Sequence, residues 1–181
     1  MLSGSWIVKR LLPGRWRILN ASRLLIMMKL CNDLLKALEG KTLATAESLT
    51  GGGIGAAITA VPGASKVFAG GVISYADMIK REVLGVPQEM LSANGAVSAP
   101  VARAMAMGVR KLLQADIAVS VTGLAGPDGD EFGHPVGTVF IGYADDKNIT
   151  AEEYHFTGDR DAVRQQTIRT ALRLILEEYD G

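Results

Sequence analysis

The chain has 181 residues, enough for one ordinary domain with a sizeable core and too few for two full ones. With 48% hydrophobic and 21% charged residues it is composed as a globular protein, which excludes a disordered, collagen-like or disulfide-scaffold chain; with 6% aromatic residues its core must be aliphatic and alanine-rich. Nineteen bases balance nineteen acids, which argues against a nucleic-acid or membrane partner held by bulk charge.

That balance is a sum over unlike parts. Residues 1–30 carry Lys9, Arg10, Arg15, Arg17, Arg23 and Lys29 with no acid, so the rest holds 13 bases against 19 acids, a net of −6. This first stretch also holds both tryptophans, Trp6 and Trp16. Its apolar pieces are short and split by Pro13-Gly14 and by arginines, so a signal peptide is a poor reading. Residues 1–26 are expected to be a basic extension outside the fold, disordered or produced by a misplaced start, with natural translation beginning at Met27 or Met28. From there Met28, Leu30, Leu34, Leu35 and Leu38 form a helical apolar stripe that stops at Gly40. The domain proper is expected over residues 27–181. One cysteine, Cys31, cannot pair within the chain, which points to a reducing, cytoplasmic setting. No apolar run reaches the roughly 18 residues of a membrane span.

From Lys41 short β-rich runs alternate with helical ones. Strand is expected at 42–46, a small helix at 52–59, a loop through Val61-Pro62-Gly63-Ala64-Ser65, a strand at 67–75 broken by Gly70-Gly71, and a helix at 77–84 stopped by Gly85 and Pro87. Ser98 is a suitable N-cap, with Pro100 in the first turn, for a helix whose Val101, Met105, Val109 and Leu112 share a face. Strands at 117–121, 136–143 and 150–156 follow, the last two joined by a hairpin-length polar connection. A final helix over 159–179 places Ile168, Leu172, Ile175 and Tyr179 on one face. The expected fold class is α/β: one domain with helices packed on a mixed sheet.

Three runs carry chemistry. Ala46-Glu47-Ser48-Leu49-Thr50-Gly51-Gly52-Gly53 spans a strand end and a helix start. Ser48 there is either an exposed nucleophile beside outward-pointing amides or, with Thr50, a helix cap. Gly70 to Lys80 delivers Tyr75 and Lys80 across a strand-to-helix junction. A helical lysine is usually a solvated charge, but one desolvated beside Ser48 can take the serine proton as a neutral amine. Val121 to Gly129 sets a glycine-rich loop, including Gly123, after a buried strand, with Thr122 at its start. Arg160 and Arg164 share a face at the start of the last helix, where they either clamp a phosphate or sit as surface charges. His134 and His155 are poorly spaced for a catalytic triad or a zinc site.

The runs AESLTGGGIGAAITAVPGAS, GGVISYADMIKREVLGV, GAVSAPVARAMAMG, VTGLAGPDG and PVGTVFIGY, in this order, resemble the CinA C-terminal domain family, the nicotinamide-nucleotide amidohydrolases. The resemblance covers residues 29–179. It implies hydrolysis of the carboxamide of nicotinamide mononucleotide to nicotinate mononucleotide and ammonia, in pyridine-nucleotide salvage, with no metal or organic cofactor. It further implies Ser48 as nucleophile, Lys80 as its base and Tyr75 as a hydroxyl that orients or relays the proton. Thr122 and the amides of Gly51, Gly52 and Gly53 would serve the oxyanion, and Arg160 or Arg164 the phosphate. The implied partner is a small nucleotide, with neither nucleic acid nor membrane bound directly, and the chain is expected to pair as a homodimer. Leu49 stands where many members have Cys, and Asp130-Glu131-Phe132-Gly133-His134 departs from the family's Gly-Thr-x-x-Lys before Pro135.

Two rival readings come from other classes. Gly51-x-Gly53-x-x-Ala56 between strand and helix suits a dinucleotide-binding oxidoreductase, although Asp77 lies beyond the expected acid position and Ile79 stands where a Tyr-x-x-x-Lys pair needs lysine. A non-catalytic partner protein linked to competence or DNA damage is the other, and the −6 charge of the core disfavours DNA contact.

Overall fold

The computed structural model describes residues 14–180, with side chains from Ser22 to Tyr179. The elements run α1 (Gly14–Ala37), β1 (Leu43–Glu47), α2 (Gly53–Thr59), a 3₁₀ turn (Ala64–Lys66), β2 (Phe68–Ile73), α3 (Asp77–Glu82), α4 (Gln88–Asn94), α5 (Ala99–Leu113), β3 (Ile117–Gly123), β4 (Thr138–Ala144), β5 (Ile149–His155) and α6 (Arg160–Asp180). Of the expected N-terminal extension, residues 1–13 lie outside the described residues; from Gly14 on, the backbone belongs to α1.

The five strands lie in the order β2-β1-β3-β4-β5. β1 is parallel to both β2 and β3, whereas β4 is antiparallel to β3 and β5 to β4. The sheet is therefore mixed, as expected, with the antiparallel β3–β4 pairing and the β4–β5 hairpin on one side of it.

Period-two alternation decides which helix each strand residue meets. Leu43, Ile117, Val119, Val121, Val139, Ile141 and Tyr143 face α1, α2 and α6, where Leu34, Leu38, Ile54, Ile58, Leu172 and Ile175 complete the main cluster. The intervening Ala44, Ala46 and Ala118 face α5 and meet Val101, Met105 and Val109. That second face is built from small residues because α5 lies almost on the sheet: Ser120 Oγ donates to Ala102 O at 2.6 Å, and a Cβ on Gly142 would stand 2.5 Å from the same oxygen. The low aromatic content thus has a structural use. Gly142→Ala should lower stability by about 1–3 kcal/mol, the range for forcing an extra carbon into a filled core. Urea unfolding would read it, and an unchanged midpoint would show that α5 can move away.

Several boundaries differ from expectation for local reasons. β2 runs through Gly70-Gly71 instead of breaking there, absorbing them with a register shift between Leu43 and Ala44. Gly71 is needed because a Cβ would meet Thr45 Oγ1 at 2.2 Å. α4 arises where no helix was expected, after Pro87 supplies its N-cap. Ser98 holds the N-cap position of α5, yet its hydroxyl donates to Gly95 O at 3.0 Å and makes no capping bond. Leu112 leaves the expected apolar face and is exposed, while Val101, Met105 and Val109 are buried.

Cys31 sits in the main cluster, where burial pushes its thiol up to about 11. A thiol so placed packs as a small hydrophobe.

Candidate active site

The parallel strands β2, β1 and β3 end at one edge of the sheet, the edge where open α/β sheets bind ligands. Ser48 follows β1, Tyr75 follows β2 and Thr122 lies in the last turn of β3, so chain direction alone gathers these residues. They meet in a cleft of about 250 Å³ lined by Ser48, Leu49, Tyr75, Asp77, Lys80 and Thr122, with Ala96, Val97, Gly123 to Gly126, Asp128 and Arg160 completing it. A larger cavity of about 780 Å³ opens between α4, α5 and the β4–β5 turn, but its walls are mostly apolar, including Leu84, Met90, Met107 and Ile149, and carry no serine, threonine or cysteine. The smaller one is the candidate site.

The turn bearing Ser48 is held from both sides. Beneath it, the buried Glu47 carboxylate accepts from Thr50 Oγ1 at 2.7 Å and the Ile54 amide at 2.9 Å on one oxygen. Its other oxygen accepts from the Gly55 amide at 2.8 Å and Thr45 Oγ1 at 3.3 Å. A buried carboxylate with no basic partner among the described residues is tolerable only with such donors, and the start of α2 adds a favourable dipole end. Above it, Arg164 donates from Nε to Leu49 O at 3.1 Å and from Nη2 to Thr50 O at 2.9 Å. Gly52, at φ 93°, permits the sharp entry into α2.

These contacts bear on three of the expected site roles. The amides of Gly51 and Gly53 bond Ser48 O at 3.1 Å and Thr50 O at 3.2 Å, and none of Gly51, Gly52 and Gly53 lines the cleft. The glycines make the turn, and the Gly51 and Gly53 amides are used inside it. Arg164 is not a phosphate clamp in this state, because its guanidinium braces the Ser48 turn outside the cleft lining. Thr122 does reach the cleft, and in this state its hydroxyl donates to Ala96 O at 2.7 Å and braces the wall. The same geometry weighs against the dinucleotide reading, because Glu47 accepts from two amides at the start of α2, where a pyrophosphate would bind.

Ser48 and Lys80, 8% and 2% exposed, face the one cleft. Lys80 Nζ donates to Asp77 Oδ1 at 2.9 Å, and Asp77 is 62% exposed. Asp77 is a site residue that reading along the chain did not assign. Its spacing of three before Lys80 on one helix was the available signal. Tyr75 is 61% exposed, and its hydroxyl accepts from Arg160 Nη2 at 2.9 Å, while Arg160 Nη1 donates to Gly126 O at 2.7 Å. Of the two arginines, Arg160 is the one placed at the cleft.

The 130–134 loop closes on itself nearby. Asp130 accepts from the amides of Phe132 at 3.1 Å and His134 at 2.9 Å, and pairs with His134 Nδ1 at 2.8 Å. Phe132 packs over Gly95, next to the cleft-lining Ala96 and Val97. Partial burial alone would push the Asp130 carboxyl up, but the bonds from His134, with help from Phe132, hold it below its ordinary value. A lowered carboxyl contributes stability that is complete above the ordinary range and lost as pH falls through the lowered value. Protection of the Phe132 and His134 amides from exchange, taken relative to the intrinsic rate at each pH, should therefore hold from pH 7 to pH 5 and fall only once the pH is below the ordinary aspartate value of about 3.9. Loosening between pH 7 and 5 would contradict this.

Among the described residues no helix is long and apolar enough to cross a membrane. The profile of the CinA C-terminal domain family matches residues 26–179. A CinA-like protein of Geobacter metallireducens is 52% identical over 133 residues, covering 74% of this chain and 32% of that protein. One from a Synechococcus strain is 57% identical over 114 residues, covering 62% of this chain and 27% of its own length. The chain thus spans about a third of these relatives. Among solved structures, a CinA superfamily protein of Klebsiella pneumoniae is 36% identical with TM-score 0.83, covering 85% of this chain and 98% of its own. A competence/damage inducible protein of Agrobacterium tumefaciens is 35% identical with TM-score 0.81, covering 86% and 96%. With the family profile spanning nearly all of the described residues and the same sheet and helices recurring in those structures, the chain belongs to the CinA C-terminal domain family.

Proposed function

We propose that the cleft is a nicotinamide-nucleotide amidase site, hydrolysing the carboxamide of nicotinamide mononucleotide to nicotinate mononucleotide and ammonia. The observation that carries this reading is the convergence of a serine hydroxyl and an almost fully buried lysine amine on one cleft whose mouth holds an arginine. A carboxamide is a poor electrophile with a poor leaving group, so the site must supply an activated nucleophile, an oxyanion donor and a proton for the amine.

In this reading Ser48 Oγ attacks the carboxamide carbon as its proton passes to the neutral amine of Lys80. The carbonyl oxygen becomes the oxyanion. The backbone amide of Leu49, a cleft-lining residue next in the turn after Ser48, takes the donor role in this reading. The carbon–nitrogen bond then breaks as the proton returns, through Tyr75, to the departing nitrogen, which leaves as ammonia. Water attacks the acyl group on Ser48, producing the carboxylate and restoring the serine. Asp77, open to solvent, fixes Nζ of Lys80. Arg160 meets the phosphate, whose binding energy positions the reacting carbonyl. The −6 charge of residues 31–181 makes that local cation necessary.

The test is ammonia release from nicotinamide mononucleotide by purified protein, with the product identified as the mononucleotide acid. Turnover supports the reading. No release at protein concentrations far above catalytic amounts counts against it and favours a non-catalytic role.

A further inference from the structure

Arg160 makes two hydrogen bonds across the mouth of the cleft, and both acceptors are neutral: the carbonyl of Gly126 and the hydroxyl of Tyr75. Among the described residues it forms no ion pair with a carboxylate. The acids lining the cleft are Asp77, which holds Lys80, and Asp128 on the glycine loop. The start of α6 does not compete for an anion, because Asp159 Oδ1 already accepts from the Ala162 amide at 2.8 Å. A bidentate guanidinium with only neutral partners, beside a catalytic cleft, is arranged for exchange.

We propose that Arg160 is a phosphate-responsive gate on Tyr75: a phosphomonoester entering the cleft takes the guanidinium from the Tyr75 hydroxyl and so frees that hydroxyl to relay a proton. The identity of the full substrate rests on the amidase reading above, whereas the exchange needs only a phosphate group.

The direction of the exchange follows from bond type. An N–H···O bond to a phosphate oxygen is charge-assisted and roughly twice as strong as one to a neutral acceptor, and guanidinium and phosphate match in planar, two-pronged geometry. Tyr75 and Arg160 are both exposed, so water replaces the lost bond at the hydroxyl with little penalty. The ligand also meets the requirement for shifting an equilibrium, since it gains contacts only in the released state. The phosphate then does two things. It anchors the substrate, and it switches the relay residue from an acceptor committed to Arg160 into a hydroxyl available to the reacting nitrogen. A substrate that lacks the phosphate therefore loses turnover rate as well as affinity, and a separate phosphate ion restores part of that rate.

The experiment follows Tyr75 by NMR in ¹³C-tyrosine-labelled full chain, its signal assigned with Tyr75→Phe, while inorganic phosphate is titrated at constant ionic strength. Ammonia release from nicotinamide riboside is measured over the same titration. In the wild type the Tyr75 signal should shift saturably with phosphate but not with chloride, and riboside turnover should rise several-fold. Both responses should vanish in Arg160→Ala. A Tyr75 signal indifferent to phosphate, or one that responds equally in Arg160→Ala, overturns the gate. So does riboside turnover that is independent of phosphate in an enzyme that turns over the mononucleotide. A Tyr75 response that depends on Arg160, in a protein that releases ammonia from neither compound, leaves the gate standing and removes the amidase reading instead.

Discussion

Replacing Ser48 by alanine should lower ammonia release from nicotinamide mononucleotide by roughly four orders of magnitude or more, the scale on which acyl-transfer enzymes lose turnover when the nucleophile is removed. The size follows from the chemistry. Without the hydroxyl the substrate can still reach Arg160, and Lys80 still faces the cleft, but no covalent route divides the amide cleavage into two easier steps. The fold should be untouched, because the bonds that organise this turn belong to the Glu47 and Thr50 side chains and to the backbone of Ser48, Leu49 and Thr50. Matched circular dichroism and melting curves for the two proteins would separate loss of chemistry from loss of structure. Activity within tenfold of wild type in a well-folded Ser48→Ala protein would refute the nucleophile assignment.

The largest stability effect is expected at Glu47. Its carboxylate satisfies two helix-start amides and two threonine hydroxyls inside the protein. Hydrogen bonds to a charged group contribute about 1.5–3 kcal/mol each, and a buried donor left without a partner costs about 1–3 kcal/mol. These terms are not additive, but Glu47→Ala should cost at least about 3 kcal/mol, a fall in Tm on the order of 10 °C for a chain of this length. It should also reduce turnover by releasing the Ser48 turn at its base. Glu47→Gln keeps the shape and one acceptor oxygen while turning the other into a donor that faces a donor, so it should fall between wild type and alanine. A Glu47→Ala protein as stable as wild type would mean that water replaces the carboxylate, and the account of the turn would have to change.

The fold was legible because its signals are local. Short apolar strands, helices bounded by Gly, Pro and Ser, and five ordered sequence blocks already led to one α/β domain on a mixed sheet, which the structure and its likeness to solved CinA proteins bear out. Ser48, Tyr75, Lys80, Thr122 and Arg160 do meet in one cleft, since three of them sit at the carboxyl ends of neighbouring parallel strands. Harder to read were the jobs of the groups around them. Whether a glycine amide is open to a ligand depends on which carbonyl or carboxylate reaches it, and Glu47, the only charge in a fully buried strand, is what closes the start of α2. An acid in such a strand must find partners, which was the one signal available. Arg160 and Arg164 could not be told apart by spacing, because both lie on one face of α6. Their roles divide only where the Ser48 turn comes within reach of Arg164 and the Gly126 loop within reach of Arg160.

The central claim, that this cleft cleaves a nucleotide carboxamide through an acyl group carried on Ser48, is tested most directly by partition with hydroxylamine. If the acyl enzyme forms, turnover of nicotinamide mononucleotide with hydroxylamine present should yield the hydroxamate at the expense of the acid, in a ratio that rises linearly with hydroxylamine, and Ser48→Ala should make neither product. Hydrolysis that proceeds with no hydroxamate at any hydroxylamine concentration, or that persists in Ser48→Ala, would contradict the account.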